Sequence, residues 1–177
     1  HHSQKSPFSG MIRGMNKKVY IETMGCQMNK LDSELVAGHL KACGYEICDA
    51  LPEAEVVIFN TCSVRQHAEE KVISKIGQLK KEHQQRPQLV VAVIGCMAQR
   101  LGQQLLDAYR QVDIVCGPGK LHRFSSMLAE VLDHRQQVLS LNDPQETDNL
   151  EILDSKRDTY ELDRPFSAFV RVMRGCN

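Results

Sequence analysis

Leu89-Val90-Val91-Ala92-Val93-Ile94-Gly95-Cys96 is the stretch on which the fold turns. Its first six residues are all apolar, with no polar face and too little length for a core helix. Such a run suits a β-strand covered on both faces, the setting of a strand inside a parallel sheet. Gly95 marks the point where the chain leaves the sheet. Working outward, Lys18–Thr23, Val56–Phe59 and Val112–Val115 have the same character, and Tyr45–Cys48 reads as a short additional strand. Helical patterns lie between them. Asn29 is placed to cap a helix with apolar positions Leu31, Leu35, Val36, Leu40 and Cys43, ending at Gly44. Ala68, Val72, Ile76 and Leu79 mark the next helix, Leu101, Leu105 and Tyr109 a third, and Leu121, Phe124, Leu128 and Val131 a fourth. Strand and helix in alternation imply an α/β fold, a doubly wound parallel sheet with helices on both faces. Five strands predict the flavodoxin-like order 2-1-3-4-5.

Composition narrows the class. The 177 residues are 42% hydrophobic and 25% charged, which excludes a disordered, collagenous or low-complexity chain. The formal net charge is zero, which argues against a basic nucleic-acid binder along its whole length. The longest apolar stretch, residues 89–98, falls short of the ~18 residues of a membrane span, so no membrane partner is expected. The opening HHSQKSPFSG reads as a tag and linker remnant, and residues 1–16 are set apart from the fold; no signal peptide is recognised ahead of the first strand. Seven cysteines in a chain of this size point to a reducing cytoplasm, where they serve metal binding, catalysis or packing. Residues 142–163 hold eight acids against two bases with little periodicity. They read as an extended linker, so the expected divisions are a domain at 17–140, an acidic linker at 141–163 and a second element at 164–177.

Three strands end alike: Thr23-Met-Gly-Cys26, Phe59-Asn-Thr-Cys62 and Ile94-Gly-Cys96. Open α/β sheets bind ligands outside the carboxyl ends of their strands, where strand order reverses. In the expected order these strands are neighbours, ~4.8 Å apart, so the thiols form a row across one crevice. Gly25 and Gly95 would let the backbone approach a bulky inorganic ligand. A lone cysteine at a strand end is usually a small core residue; three at equivalent positions are not independent accidents. Structural zinc favours four ligands, often as close cysteine pairs, and no CxxC occurs. Three thiolates suit a [4Fe–4S] cluster with one iron open. The competing class is a flavodoxin-like binding or electron-transfer module with purely structural cysteines, although Met24–Met28 makes a poor phosphate loop and aromatic residues are only 5%.

Four motifs carry a resemblance: KKVYIETMGCQMNKLDSE (17–34), NTCSVRQHAEEKV (60–72), VIGCMAQR (93–100) and DIVCGPGKLHR (113–123). In this order they resemble the amino-terminal domain of the methylthiotransferases, and the similarity runs from about Lys17 to Asn177. GCQMN and NTCSVR look most like the branch acting on isopentenylated adenosine in tRNA. Sibling branches act on threonylcarbamoyladenosine in tRNA or on an aspartate of a ribosomal protein. The resemblance implies that Cys26, Cys62 and Cys96 hold an auxiliary [4Fe–4S] cluster. It also implies that Phe169-Val-Arg-Val-Met-Arg-Gly-Cys176-Asn177 is the first strand of a radical S-adenosylmethionine barrel, a TIM-like fold. Cys176 would be the first ligand of a second [4Fe–4S] cluster, opening the family's CxxxCxxC motif. The rest of that barrel and the RNA-binding TRAM domain would lie beyond Asn177, and the fragment alone is not expected to be active. S-adenosylmethionine would supply both a methyl group and a 5′-deoxyadenosyl radical, and methylthio transfer would occur at C2 of the adenine next to the anticodon. The implied partners are tRNA and an electron donor, for a monomeric cytoplasmic enzyme.

Other residues have weaker claims. Gln27, Asn60, Thr61 and Ser63 flank the thiols, where they could donate to cluster sulfurs or cap helix amides. Arg65, Lys71, Lys75, Lys80, Lys81 and Arg86 form a basic segment, either a solvated helix face or a contact for tRNA phosphates, and Lys17 and Lys18 share this ambiguity. Cys43 and Cys48 read as filler. Cys116 follows a strand expected at the far edge and leads into a Gly117-Pro-Gly119 turn. His67, His83 and His122 show no ligand-like pairing.

Overall fold

The computed structural model describes residues 16–63 and 66–143. Cys176, the barrel strand, the acidic segment from residue 144 onward and residues 1–15 lie outside the described residues, as do Arg65 and the side chain of His67. The strands are β1 (Lys18–Met24), β2 (Glu46–Ile47), β3 (Val56–Thr61), β4 (Val90–Gly95), β5 (Ile114–Cys116) and β6 (Val138–Ser140). The helices are α1 (Gln27–Ala42), α2 (Gln66–Gln85), α3 (Cys96–Leu101), α4 (Gln103–Ala108) and α5 (Phe124–His134). All six strands are parallel, in the order β2-β1-β3-β4-β5-β6. The flavodoxin-like order expected of the first five is present, and the sheet carries one strand more.

Every residue of β3 and β4 is buried, which is why both read as unbroken apolar runs. Alternation still sorts them between two cores. Val56 and Ile58 join Val90, Ala92 and Ile94 beneath Leu31, Leu35 and Leu40 of α1 and Phe124, Leu128 and Val131 of α5. Val57 and Phe59 join Val91 and Val93 beneath Val72, Ile76 and Leu79 of α2 and Met97 and Leu105 on the opposite face. Each layer is sealed by helices whose apolar residues recur every three or four positions.

Four details differ from the sequence-based expectation. Asn29 is not the cap of α1; Cys26 holds that position, and Asn29 is the third residue of the helix, closing a capping box with it. The third helix begins at Cys96 and is broken at Gly102, whose φ of 48° ends one short helix and starts another. Leu121 lies in a 3₁₀ segment, Pro118–Arg123, ahead of α5. The fifth strand is not an edge: β6 flanks it, with Val138 N–H donating to Asp113 O (2.7 Å) and Gly117 N–H to Ser140 O (2.8 Å). Beyond β6, Asn142 and Gln99 of α3 exchange hydrogen bonds, the Asn142 amide donating to Gln99 Oε1 at 2.8 Å.

At the amino ends of the strands, Asp113 accepts the Val91 N–H (2.8 Å) and lies 3.7 Å from His83 Nε2. Burial holds its carboxyl above the usual range, outweighing the Val91 bond and the charges of His83 and Arg135. A raised folded-state value means that the native chain binds this proton more tightly than the unfolded chain. The associated stability is present below the unfolded value of about 4 and is lost as pH rises through the folded value. Asp113→Asn carries no charge and keeps an oxygen for Val91. Its melting temperature is expected to gain on that of the native chain as pH is raised from about 4 to neutrality. Thermal melts across that range check this; a difference independent of pH would show that Asp113 does not titrate there.

Candidate metal centre

Strand register brings the three cysteine positions to one edge of the sheet. Met24 pairs with Thr61, and Thr61 with Gly95, so β1, β3 and β4 stop on one line. Cys62 and Cys96 follow that line by one residue and Cys26 by two. The Cys62 N–H donates to Met24 O (3.3 Å), which carries the pairing of β1 and β3 on to the cysteine. Cys62 is buried, whereas Cys26 and Cys96 are half-buried. No disulfide joins the six cysteines among the described residues. Side chains tie the neighbouring elements together: Thr61 Oγ1 donates to Ile94 O (3.0 Å), and Arg100 of α3 pairs with Glu69 of α2 (2.5 Å).

Beneath the thiols lies a buried polar network. Asn29 Oδ1 accepts the Cys26 N–H (3.1 Å) and the Cys26 thiol (3.3 Å). Asn29 Nδ2 donates to Asn60 Oδ1 (2.9 Å) and Thr61 O (3.1 Å). Asn60 Nδ2 donates to Asn29 O (2.7 Å) and Ser33 Oγ (2.9 Å), and Ser33 meets Thr23 Oγ1 at 2.7 Å. Asn29 and Asn60 are 2% and 0% exposed, so their four amide hydrogens need these partners. Asn60 and Thr61 therefore spend their side-chain donors on Asn29 O, Ser33 Oγ and Ile94 O, and on neither of the two partners the sequence left open, cluster sulfurs or helix amides. The two glycines stand against this network. A Cβ on Gly25 would run into the Asn29 side chain. One on Gly95 would stand 2.5 Å from Thr61 O and 2.7 Å from Asn60 Oδ1. Their missing side chains make room for the Asn29 carboxamide beside Gly25 and for Thr61 O and Asn60 beside Gly95. Cys26-Gln-Met-Asn29 held a signal for this hub, the polar third residue of a capping box, which the reading of Asn29 as the cap itself obscured.

The remaining cysteines stand apart. Cys116 pairs with Ile94, two residues below Cys96, and belongs to the core under α1 and α5. Burial pushes its thiol well up, and the S–H donates to Gly117 O (3.4 Å). Cys43 and Cys48 pack at the margins of opposite cores. Lys17 and Lys18 pair with Glu55 (2.9 Å) and Glu53 (2.8 Å) at the far end of the sheet from the thiols. In the basic segment Lys75 pairs with Glu22 (2.5 Å) and Arg86 donates to the carbonyls of Pro52 and Ala54, while Lys71, Lys80 and Lys81 are exposed.

Among the described residues, no three His, Cys, Asp or Glu side chains converge closely enough for a single metal ion. One zinc ion would draw sulfur ligands to ~2.3 Å of a common point. In an iron–sulfur cube each thiolate takes a different iron, so the ligands of one body stand further apart. Three soft donors on three adjacent strand ends suit such a cluster in kind and in topology.

The profile of the uncharacterized protein family UPF0004 matches residues 18–117. A tRNA-2-methylthio-N(6)-dimethylallyladenosine synthase of Rhodopirellula baltica is 41% identical over 170 residues, covering 92% of this chain and 36% of its own length. Proteins of the same name from Clostridium perfringens and Syntrophotalea carbinolica are 42% and 40% identical, over 92% and 91% of this chain and 36% of theirs. The chain thus spans about a third of the length of the curated relatives it matches. With a matched profile centred on the cysteine-bearing strands and such identity over nearly the whole sequence, the chain belongs to the UPF0004 family, the amino-terminal domain of the methylthiotransferases.

Proposed function

We propose that this chain is the amino-terminal part of a tRNA methylthiotransferase that adds a methylthio group to C2 of isopentenylated adenosine next to the anticodon. The observation that carries the reading is the rim of Cys26, Cys62 and Cys96 on three adjacent strand ends, in a chain about 40% identical to synthases of that name. In this proposal those thiolates hold an auxiliary [4Fe–4S] cluster, and Cys176 is the first ligand of the radical S-adenosylmethionine cluster. When bound, the auxiliary cluster supplies the sulfur that is methylated and transferred. The chain's own task is to anchor that body by soft ligands at an open sheet edge, with Asn29, Asn60 and the strand register holding the anchors level. Residues 17–140 form the cluster-bearing domain, 141–163 a linker and 164–177 the entry to the barrel. The enzyme works as a cytoplasmic monomer with tRNA and an electron donor as partners. No helix among the described residues is long and apolar enough to cross a membrane.

Mass spectrometry of tRNA nucleosides tests the substrate. Deleting the full gene is expected to remove methylthio-isopentenyladenosine and leave isopentenyladenosine in its place. The intact gene restores the modification, and the gene carrying Cys62→Ala does not. Survival of the methylthio nucleoside in the deletion strain overturns the assignment. Loss of methylthio-threonylcarbamoyladenosine in its stead moves the enzyme to the sibling branch.

A further inference from the structure

We propose that Asn29 is a positioning residue for the cysteine rim, holding the strand ends of Cys26, Cys62 and Cys96 in one arrangement. The inference rests on the cluster reading above for its functional meaning, but its geometry is independent of any bound group. Each arm of the Asn29 carboxamide reaches a different ligand-bearing segment. The oxygen takes the backbone N–H of Cys26 itself. The nitrogen gives its hydrogens to Thr61 O, on the residue before Cys62, and to Asn60 Oδ1. The same nitrogen would stand 3.2 Å from a Cβ on Gly95, the residue before Cys96, so the close approach of β4 is made against Asn29 too.

The orientation of this amide follows from its partners. A carbonyl such as Thr61 O can only accept, so the atom facing it is the NH2 group. The Cys26 N–H can only donate, so the atom facing it is the oxygen. Both ends give the same answer. Asn60 locks the arrangement by donating back to Asn29 O and to Ser33. Few side chains could replace it: alanine or leucine offers neither arm, glutamine is a methylene too long, and an aspartate would turn a lone pair on Thr61 O. A ligating thiolate has no S–H to give Asn29 Oδ1. The bond from the Cys26 backbone N–H does not depend on that proton, so the hold on the strand end persists.

Hydrogen exchange of the full chain without iron and sulfide, read residue by residue, tests the positioning directly. Asn29→Ala is expected to speed exchange about ten-fold at the Cys26 amide and also at the Cys62 amide, the worth of one lost hydrogen bond. After anaerobic reconstitution with ferrous iron and sulfide, the variant is expected to lose iron to a ferrous chelator several-fold faster. Its reduced cluster is also expected to give an altered electron paramagnetic resonance spectrum. Val36→Ala, in the core side of the same helix, serves as the stability control. It lowers the melting temperature but leaves exchange at the rim and the spectrum unchanged. Should Asn29→Ala fail to fold, Asn29→Asp carries the same test: one oxygen still takes the Cys26 N–H while the other can give nothing to Thr61 O, so exchange rises at Cys62 with Cys26 still protected. Unchanged exchange at Cys62 in Asn29→Ala, or a spectrum disturbed equally by Val36→Ala, overturns the proposal. A native chain that takes up no iron instead sinks the cluster reading, while the exchange measurement still decides the role of Asn29.

Discussion

Cys62→Ala is expected to reduce iron uptake on anaerobic reconstitution from ~4 atoms for the auxiliary cluster to near zero, with Cys26→Ala and Cys96→Ala behaving alike. In the proposed centre each thiolate is one of three anchors, and the strands bearing them are locked in register at Met24, Thr61 and Gly95. A neighbouring side chain cannot slide in to replace a lost anchor. Cys116 lies two residues down the adjacent strand with its thiol buried, and Cys43 and Cys48 sit at the margins of the cores. Substituting any of these three by alanine, or Cys176, is therefore expected to leave the iron of the auxiliary site unchanged. Iron and sulfide analysis with visible absorption reads the result, and melting curves exclude unfolding as the cause. Native iron content in all three rim variants would end the case for a cluster here. A shared loss in the rim variants alone would establish the ligand set.

Gly95→Ala is expected to be the most damaging single-methyl change among the described glycines. Gly95 has a φ of 96° and a ψ of −161°, a region that only glycine occupies readily, costing another residue about 1–3 kcal/mol. The added Cβ would also stand 2.5 Å from Thr61 O, a backbone atom of the neighbouring strand that cannot turn aside. Forcing β3 and β4 apart costs about 1–3 kcal/mol more. The sum is large against a typical stability of about 5–15 kcal/mol, and at this chain length corresponds to a fall in melting temperature of roughly 10 °C. Gly77 is the internal comparison. It is exposed in the middle of α2 with nothing within 4 Å of an added Cβ, so Gly77→Ala is expected to stabilise by about 0.5–1 kcal/mol. Thermal unfolding of both variants checks the pair, and equal melting points would refute the account of Gly95. The same substitution would also move Cys96, so loss of iron uptake should accompany loss of stability.

Much of this molecule was legible before any coordinate. Buried parallel strands leave a dense apolar signature, and residues 56–59 and 89–94 carry it because both of their faces are covered. The order of the first five strands followed from alternation of strand and helix, and with it the placing of three cysteines along one rim. β6 was not legible. Val138–Ser140 has only three residues, and its place beside β5 is secured by backbone hydrogen bonds that any sequence could make. The break at Gly102 was equally hidden, since Leu101, Leu105 and Tyr109 keep helical spacing across it.

Fold class, strand neighbours and the placing of three cysteines at adjacent strand ends were readable from local hydrophobic patterning and residue chemistry. How those cysteine-bearing segments are tied together rests on contacts between residues far apart in the chain. Asn29 and Asn60 meet across 31 positions of chain, the Asn29 carboxamide fills the space beside Gly25, and Thr61 O and Asn60 fill that beside Gly95. A hydrogen bond between distant residues has no periodicity to announce it. It exists only once the sheet has set both partners within about 3 Å.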